Sequence, residues 1–239
     1  MNNTYGSVNF VDPTGIQLVP NKTIIDAPAS SALAYINYQY KDDDMAQIEQ
    51  TKKLPVTLLQ DPVYLKRLDC LTTTLPEETK TVSIYSLGER DALVWGNNKY
   101  LILAPTILLK KGTTSENLST ELLNHRLTLY YLSAEGDEDA NTLKLYLRYE
   151  ISGIGGSSTE ETDDKESWAS DYNVRYTNVS HVNLQPIISM YKSTHSGSEP
   201  EKVTVEYEYN NSTSSIPTIA KKQTKTVTYN LYTETSSNN

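Results

Sequence analysis

Apolar and polar residues alternate with a period of two along much of this chain, which predicts strands with one face in a core and the other toward water. The clearest run is Leu143 to Ile151. Leu143, Leu145, Leu147, Tyr149 and Ile151 share its inner face, while Lys144, Arg148 and Glu150 point out. The last hairpin is nearly as clear. Val203, Val205, Tyr207 and Tyr209 share one face, and Val227, Tyr229 and Leu231 share the matching face of the returning strand. Ala32–Tyr40, Leu54–Leu59, Val63–Leu68, Thr81–Leu87, Ala92–Trp95, Leu127–Leu132, Tyr172–Val179 and Asn183–Tyr191 also read as strands, with Pro186 making the last an edge or a bulge. Tyr100–Ala104 has no polar alternation, as expected of a strand buried on both faces.

Turn signals separate these runs. Gly96-Asn97-Asn98 fits a tight turn before Tyr100, and Glu135 to Asp139 forms an acidic connection before Leu143. Helical patterns are few. Ser115–His125 carries Leu118, Leu122 and His125 on one stripe, and Asp42-Asp43-Asp44 suits the start of a short helix over Met45–Gln50. About ten short strands spaced by turns predict an all-β fold, an antiparallel sandwich or jelly-roll-like body.

Two stretches break the pattern. Residues 1–31 contain Pro13, Pro20 and Pro28 among irregularly spaced apolar residues, and read as an extended N-terminal arm ahead of a body at 32–239. The alternative is a strand with loops at the domain edge. Residues 153–171 form a long Gly/Ser/acidic loop with Trp168 as its single aromatic residue, either anchoring the loop or making an outside contact.

Composition refines the picture. Eighteen tyrosines against one phenylalanine give broad amphipathic surfaces of the kind that suit protein or sugar contacts. Mean hydropathy is −0.51, and the net charge of −9 disfavours nucleic acid and anionic membrane as partners. No signal-peptide pattern or membrane-spanning run is present, so synthesis in a cytoplasm is expected. Cys70 stands alone and reads as a small buried hydrophobe.

Catalytic and metal chemistry find little footing. His125, His181 and His195 lie in no metal-binding spacing, and no Gly-x-Ser-x-Gly elbow occurs. Gly153-Ile154-Gly155-Gly156 lacks the spacing and lysine of a phosphate loop. Asp137-Glu138-Asp139 has the first oxygens of a calcium loop, but Arg148 occupies the place of its bidentate acid. Glu206 and Glu208 alternate with tyrosine as ordinary polar-out residues. The reading is non-enzymatic, with no cofactor and no metal.

The proline-broken arm, the Tyr/Asn/Thr-rich amphipathic body and the polar tail resemble, in overall composition, minor structural proteins of tailed-bacteriophage virions. That resemblance implies a head, connector or tail component, a homo-oligomer or ring, other virion proteins as partners, and location in the virion. The candidate assembly contacts are Tyr5, Val8, Phe10, Ile16, Leu18, Trp168 and Tyr232. A second reading is a carbohydrate-binding or adhesin module that stacks sugars on Trp95, Trp168 and surface tyrosines.

Overall fold

The computed structural model describes residues 2–4, 7–24, 33–46, 48–88, 93–133, 141–154, 167–210, 212 and 216–231. The fold is all-β with a few short helices, as the alternation predicts. It divides into two compact units, 1–67 and 68–239.

The smaller unit holds β1 (Asn2–Thr4), β2 (Ser7–Val11), β3 (Gln17–Pro20), β4 (Ala34–Tyr35), β5 (Tyr38–Gln39), β6 (Lys53–Leu58), β7 (Val63–Tyr64) and β8 (Lys66–Arg67). Two single-turn helices, α1 (Asp42–Met45) and α2 (Ile48–Thr51), precede β6. The main sheet runs β1-β2-β3-β6-β5, with β4 and β7 paired separately. The β2–β3 hairpin is set by Asp12, whose Oδ1 accepts from the Thr14 N–H (2.8 Å), the Thr14 hydroxyl (2.7 Å) and the Ile16 N–H (2.9 Å). Gly15 completes that turn at a φ of +86°, which a residue without Cβ adopts without strain. Leu18 lies opposite Phe10 on one side and Leu54 on the other. Val8, Phe10, Leu18, Ile48, Leu54 and Val56 form the core of this unit.

The expected boundary between an arm and a body at residue 31 therefore falls inside a unit. The prolines misdirect the reading: Pro13 sits in the hairpin turn and Pro20 is the last residue of β3, so neither interrupts a strand.

The larger unit contains β9 (Asp69–Leu71), β10 (Leu93–Trp95), β11 (Tyr100–Leu103), β12 (Thr106–Lys110), β13 (His125–Tyr130), β14 (Thr142–Ile151), β15 (Tyr172–Thr177), β16 (Ser180–Asn183), β17 (Lys202–Tyr209) and β18 (Gln223–Asn230). One sheet runs β18-β17-β14-β13-β9; in another, β11 lies between β10 and β16; β12 and β15 pair alone. Most neighbours are antiparallel, but β9–β13 and β14–β17 are parallel. The core joins Leu101 and Leu103 of β11 and Val182 of β16 to Leu129 of β13, Leu143, Leu145 and Leu147 of β14 and Val203 and Val205 of β17. Two sheets thus face one another across a single apolar layer. The Leu68 N–H donates to the His181 carbonyl (2.8 Å) of β16, and two residues on Cys70 pairs with Leu129 of β13. The chain crosses from one sheet to the other there.

Past Leu147 and Tyr207, residues 82–84 insert between β14 and β17. The Val82 N–H bonds to the Tyr149 carbonyl (2.8 Å) and the Ile84 N–H to that of Glu208 (2.9 Å). Thr81–Leu87, expected as a strand, makes only isolated bridges. Asn183–Tyr191, also expected as a strand, contains the end of β16 and then α4 (Gln185–Thr194). Pro186 stands in the first turn of α4, where its missing N–H costs nothing, and Ile187 and Tyr191, four apart, are the residues it buries. The third helix, α3 (Leu118–Leu122), ends before His125, which opens β13.

Candidate functional site

Five segments of the larger unit converge on His125. Its Nε2 lies 3.0 Å from Oε1 of Glu121 on α3, and its Nδ1 lies 2.6 Å from the hydroxyl of Tyr149 on β14. Glu121 Oε1 also accepts from the backbone N–H of Lys110 at the end of β12 (3.0 Å). The imidazole stacks on Tyr149 at 5.9 Å and meets Tyr172 of β15 edge-on at 6.0 Å. Trp168 in turn meets the Tyr172 ring edge-on at 5.8 Å.

Electrostatics fix the proton pattern of this joint. Burial pushes the Glu121 carboxyl up, but hydrogen bonds from His125 and the Lys110 N–H, with the His125 charge and Asn124, outweigh it and hold Glu121 below its ordinary value. Burial, reinforced by Tyr172 and Glu121, pushes the Tyr149 hydroxyl well above its usual value, so it stays protonated. The Glu121 carboxylate has no proton to give and accepts from Nε2–H of His125, while Nδ1 and the Tyr149 hydroxyl share the second hydrogen bond.

A carboxylate, imidazole and phenol in line can move protons in a catalytic site. Here the His125 side chain is 1% exposed and Tyr149 is 1% exposed, and both ring nitrogens are occupied by protein groups. The arrangement ties α3 and the ends of β12, β13, β14 and β15 together.

A second polar cluster lies on the other face of the large sheet. Lys144, Glu206, Arg148, Glu208 and Lys222 alternate in sign at successive separations of 3.3, 2.8, 3.7 and 3.3 Å. Arg148 and Glu208 are buried. Lys222 also donates to the Thr81 hydroxyl (2.6 Å), the Thr81 carbonyl (3.2 Å) and the Glu78 carbonyl, and so fastens the loop before β18 to the segment entering the β14–β17 gap. Burial lowers the Lys144 ammonium, yet the Tyr146 hydroxyl and Glu206 outweigh it and raise it above its usual value. The outward, solvated reading of Glu206 and Glu208 is corrected: both are spent on cations of the neighbouring strand. Lys144 and Arg148, four apart beside acids two apart, were the signal.

The sequence-derived contact residues scatter. Val8, Phe10 and Leu18 are buried, and Ile16 packs against the same core. Their place in a closed hairpin removes them as outward contacts. Trp168 is half-buried against the large core. Tyr5 and Tyr232 lie outside the described residues, as does Asp137-Glu138-Asp139. Trp95 is half-buried and leans on Tyr100 at 6.2 Å, so neither tryptophan offers the bare platform of the sugar-binding reading. Burial pushes the Cys70 thiol up to about 12, which suits the small-hydrophobe reading.

One exposed apolar group stands out. Tyr35 (62% exposed) and Val63 (56%) are directly opposed in the β4–β7 ladder, and Leu59 (55%) donates its N–H to the Asn37 carbonyl beside them.

No protein-family model matches this sequence, and no curated protein matches it. Solved structures share its fold. A putative lipoprotein from Bacteroides fragilis superposes with a TM-score of 0.70 at 21% identity, covering 98% of this chain and 95% of that one. A protein of unknown function from Bacteroides vulgatus gives 0.53 at 13% identity over 97% of this chain and 86% of that one. An uncharacterized protein from Parabacteroides merdae gives 0.52 at 16% identity, covering 91% and 90%. These overturn the resemblance to tailed-phage virion proteins, with the head, connector or tail role and the virion location drawn from it. Richness in Tyr, Asn and Thr without paired cysteines accompanies any half-wet β surface and carries no topology. The chain shares its fold, end to end, with proteins of Bacteroides and Parabacteroides.

Proposed function

We propose that this protein works at the bacterial cell envelope as a non-catalytic binding protein. The observation that carries this reading is the likeness to the Bacteroides fragilis protein, which spans nearly all of both chains and so includes both units. Enclosure of the Glu121–His125–Tyr149 relay supports a structural use of its acid–base groups. The exposed Tyr35–Val63 pair supports a role exercised through contact.

Fractionation of bacteria producing the full-length product, followed with an antibody to this chain, tests the location. The product is expected with the envelope markers. Recovery with the cytosolic markers would overturn the proposal.

A further inference from the structure

We infer that a cleft at the C-terminal end of β14 binds a free α-amino acid with an acidic side chain. The cleft, of about 310 Å³, is lined by Lys80, Arg126, Glu150 and residues 151–154. Local hydrogen bonds build it. The Ser152 N–H donates to the Asn124 carbonyl (2.8 Å) and the Ile154 N–H to the Ile151 carbonyl (3.0 Å), so the chain turns where the strand ends. Lys80 closes a single 3-10 turn, Glu78–Lys80. Two residues on, the Val82 N–H bonds to the Tyr149 carbonyl and holds this segment alongside β14. Ile151 and Ile154 supply apolar wall.

The charges around the cleft do not close on one another. Arg126 and Glu150 are directly opposed in the β13–β14 ladder, where side chains are neighbours. Among the described residues, neither makes an ion pair or a side-chain hydrogen bond. Tyr130, on the same face of β13, senses both. After burial, Glu150 pushes its hydroxyl above the usual value, while Arg126 and Arg148 pull the other way. Lys80 meets Glu77 at 3.3 Å in an exposed pair of the kind that contributes little and yields readily. A simple anion in the cleft would meet Glu150, and a simple cation would meet Lys80 and Arg126. A ligand with two carboxylates and one ammonium matches the set in number and sign. Arg126 offers a planar fork to one carboxylate and Lys80 a point charge to the other, while Glu150 accepts from the ammonium. Arg126 and Lys80 are exposed, so the dissociation constant is on the order of millimolar.

This inference goes beyond the envelope reading, and it is tested on the purified chain, so its failure leaves the location untouched. Isotope-labelled protein is titrated with L-glutamate and its amide shifts are followed. Saturable shifts are expected at residues 80, 126 and 150–154. Glutarate, which lacks the ammonium, should bind at least about tenfold more weakly, the worth of one charge-assisted hydrogen bond. Arg126→Gln should weaken L-glutamate at least about tenfold on the same ground, and Lys80→Gln gives the same reading should that variant fail to fold. Glu150→Gln should erase the preference for L-glutamate over glutarate, a change of selectivity that a merely structural role would not produce. Shifts that fail to saturate in the millimolar range, or that fall elsewhere on the chain, would overturn the inference. So would equal binding of glutarate and L-glutamate by the wild type, or a preference that survives Glu150→Gln.

Discussion

The Tyr149 hydroxyl and Nδ1 of His125 share a hydrogen bond of 2.6 Å between two adjacent strands of the large sheet, with both side chains enclosed. Removing the hydroxyl by Tyr149→Phe keeps the ring and its stacking on the imidazole but strips a buried nitrogen of its partner. A buried group left unsatisfied costs about 1–3 kcal/mol, and that is the expected loss in urea unfolding. Tyr149→Phe combined with His125→Phe removes both partners of that bond and leaves only Glu121, near the surface end of the joint, so the double variant tests whether the cost lies in the orphaned nitrogen. A melt unchanged by Tyr149→Phe would show that the bond adds nothing.

Stability should fall with acid through Glu121. Its carboxyl is held below the ordinary value in the fold, so the folded state favours the carboxylate. The contribution is complete above the unfolded carboxyl value, near 4.5, and is lost as pH drops through the lower folded value. Glu121→Gln should therefore flatten the acid limb of a stability–pH curve while lowering stability at neutral pH. Parallel acid limbs for variant and wild type would assign the sensitivity to other carboxylates.

The alternating ladder predicts a sharp asymmetry between breaking it and replacing it. Arg148→Ala leaves Glu206 and Glu208 facing one another without their shared cation, and should cost about 3–5 kcal/mol. Replacing Arg148, Glu206 and Glu208 together by Met, Gln and Gln removes the charges as a set and should cost much less. Denaturant midpoints of the two variants decide this. Equal losses would show that the guanidinium's contact with the Tyr146 ring at 5.4 Å, absent from both variants, carries the effect instead.

Strands with regular alternation were legible: β14 and β17–β18 lie where the period of two placed them, because β14 and β17 each bury one face in the core and β18 adds Val227 and Tyr229 to it. β11 followed from its lack of polar positions and does lie between two strands. The α4 segment misled because Leu184, Ile187, Ile188 and Tyr191 satisfy both a helical stripe and a loose alternation, and Pro186 was compatible with either a strand edge or a helix start. The arm misled because Val8, Phe10 and Leu18 find their partners in Leu54 and Val56, some thirty-five or more residues on, where no local pattern signals them. The Glu121–His125–Tyr149 joint was illegible for the same reason: Glu121 and His125 share a helical spacing, but Tyr149 arrives through sheet register alone.

The parallel pairing of β14 with β17 has a consequence for how the chain is made. Leu143 meets Val203, sixty positions later in the chain, and Leu71 meets Tyr130, fifty-nine positions later. Every ladder of the small unit described above, in contrast, closes within the first 67 residues. On a ribosome the first unit can complete its core while the second is still an open half-sheet. Its long-range pairings make the second unit the slow step and the aggregation-exposed one. Nascent-chain arrest at successive lengths should accordingly find protease resistance arriving in two instalments.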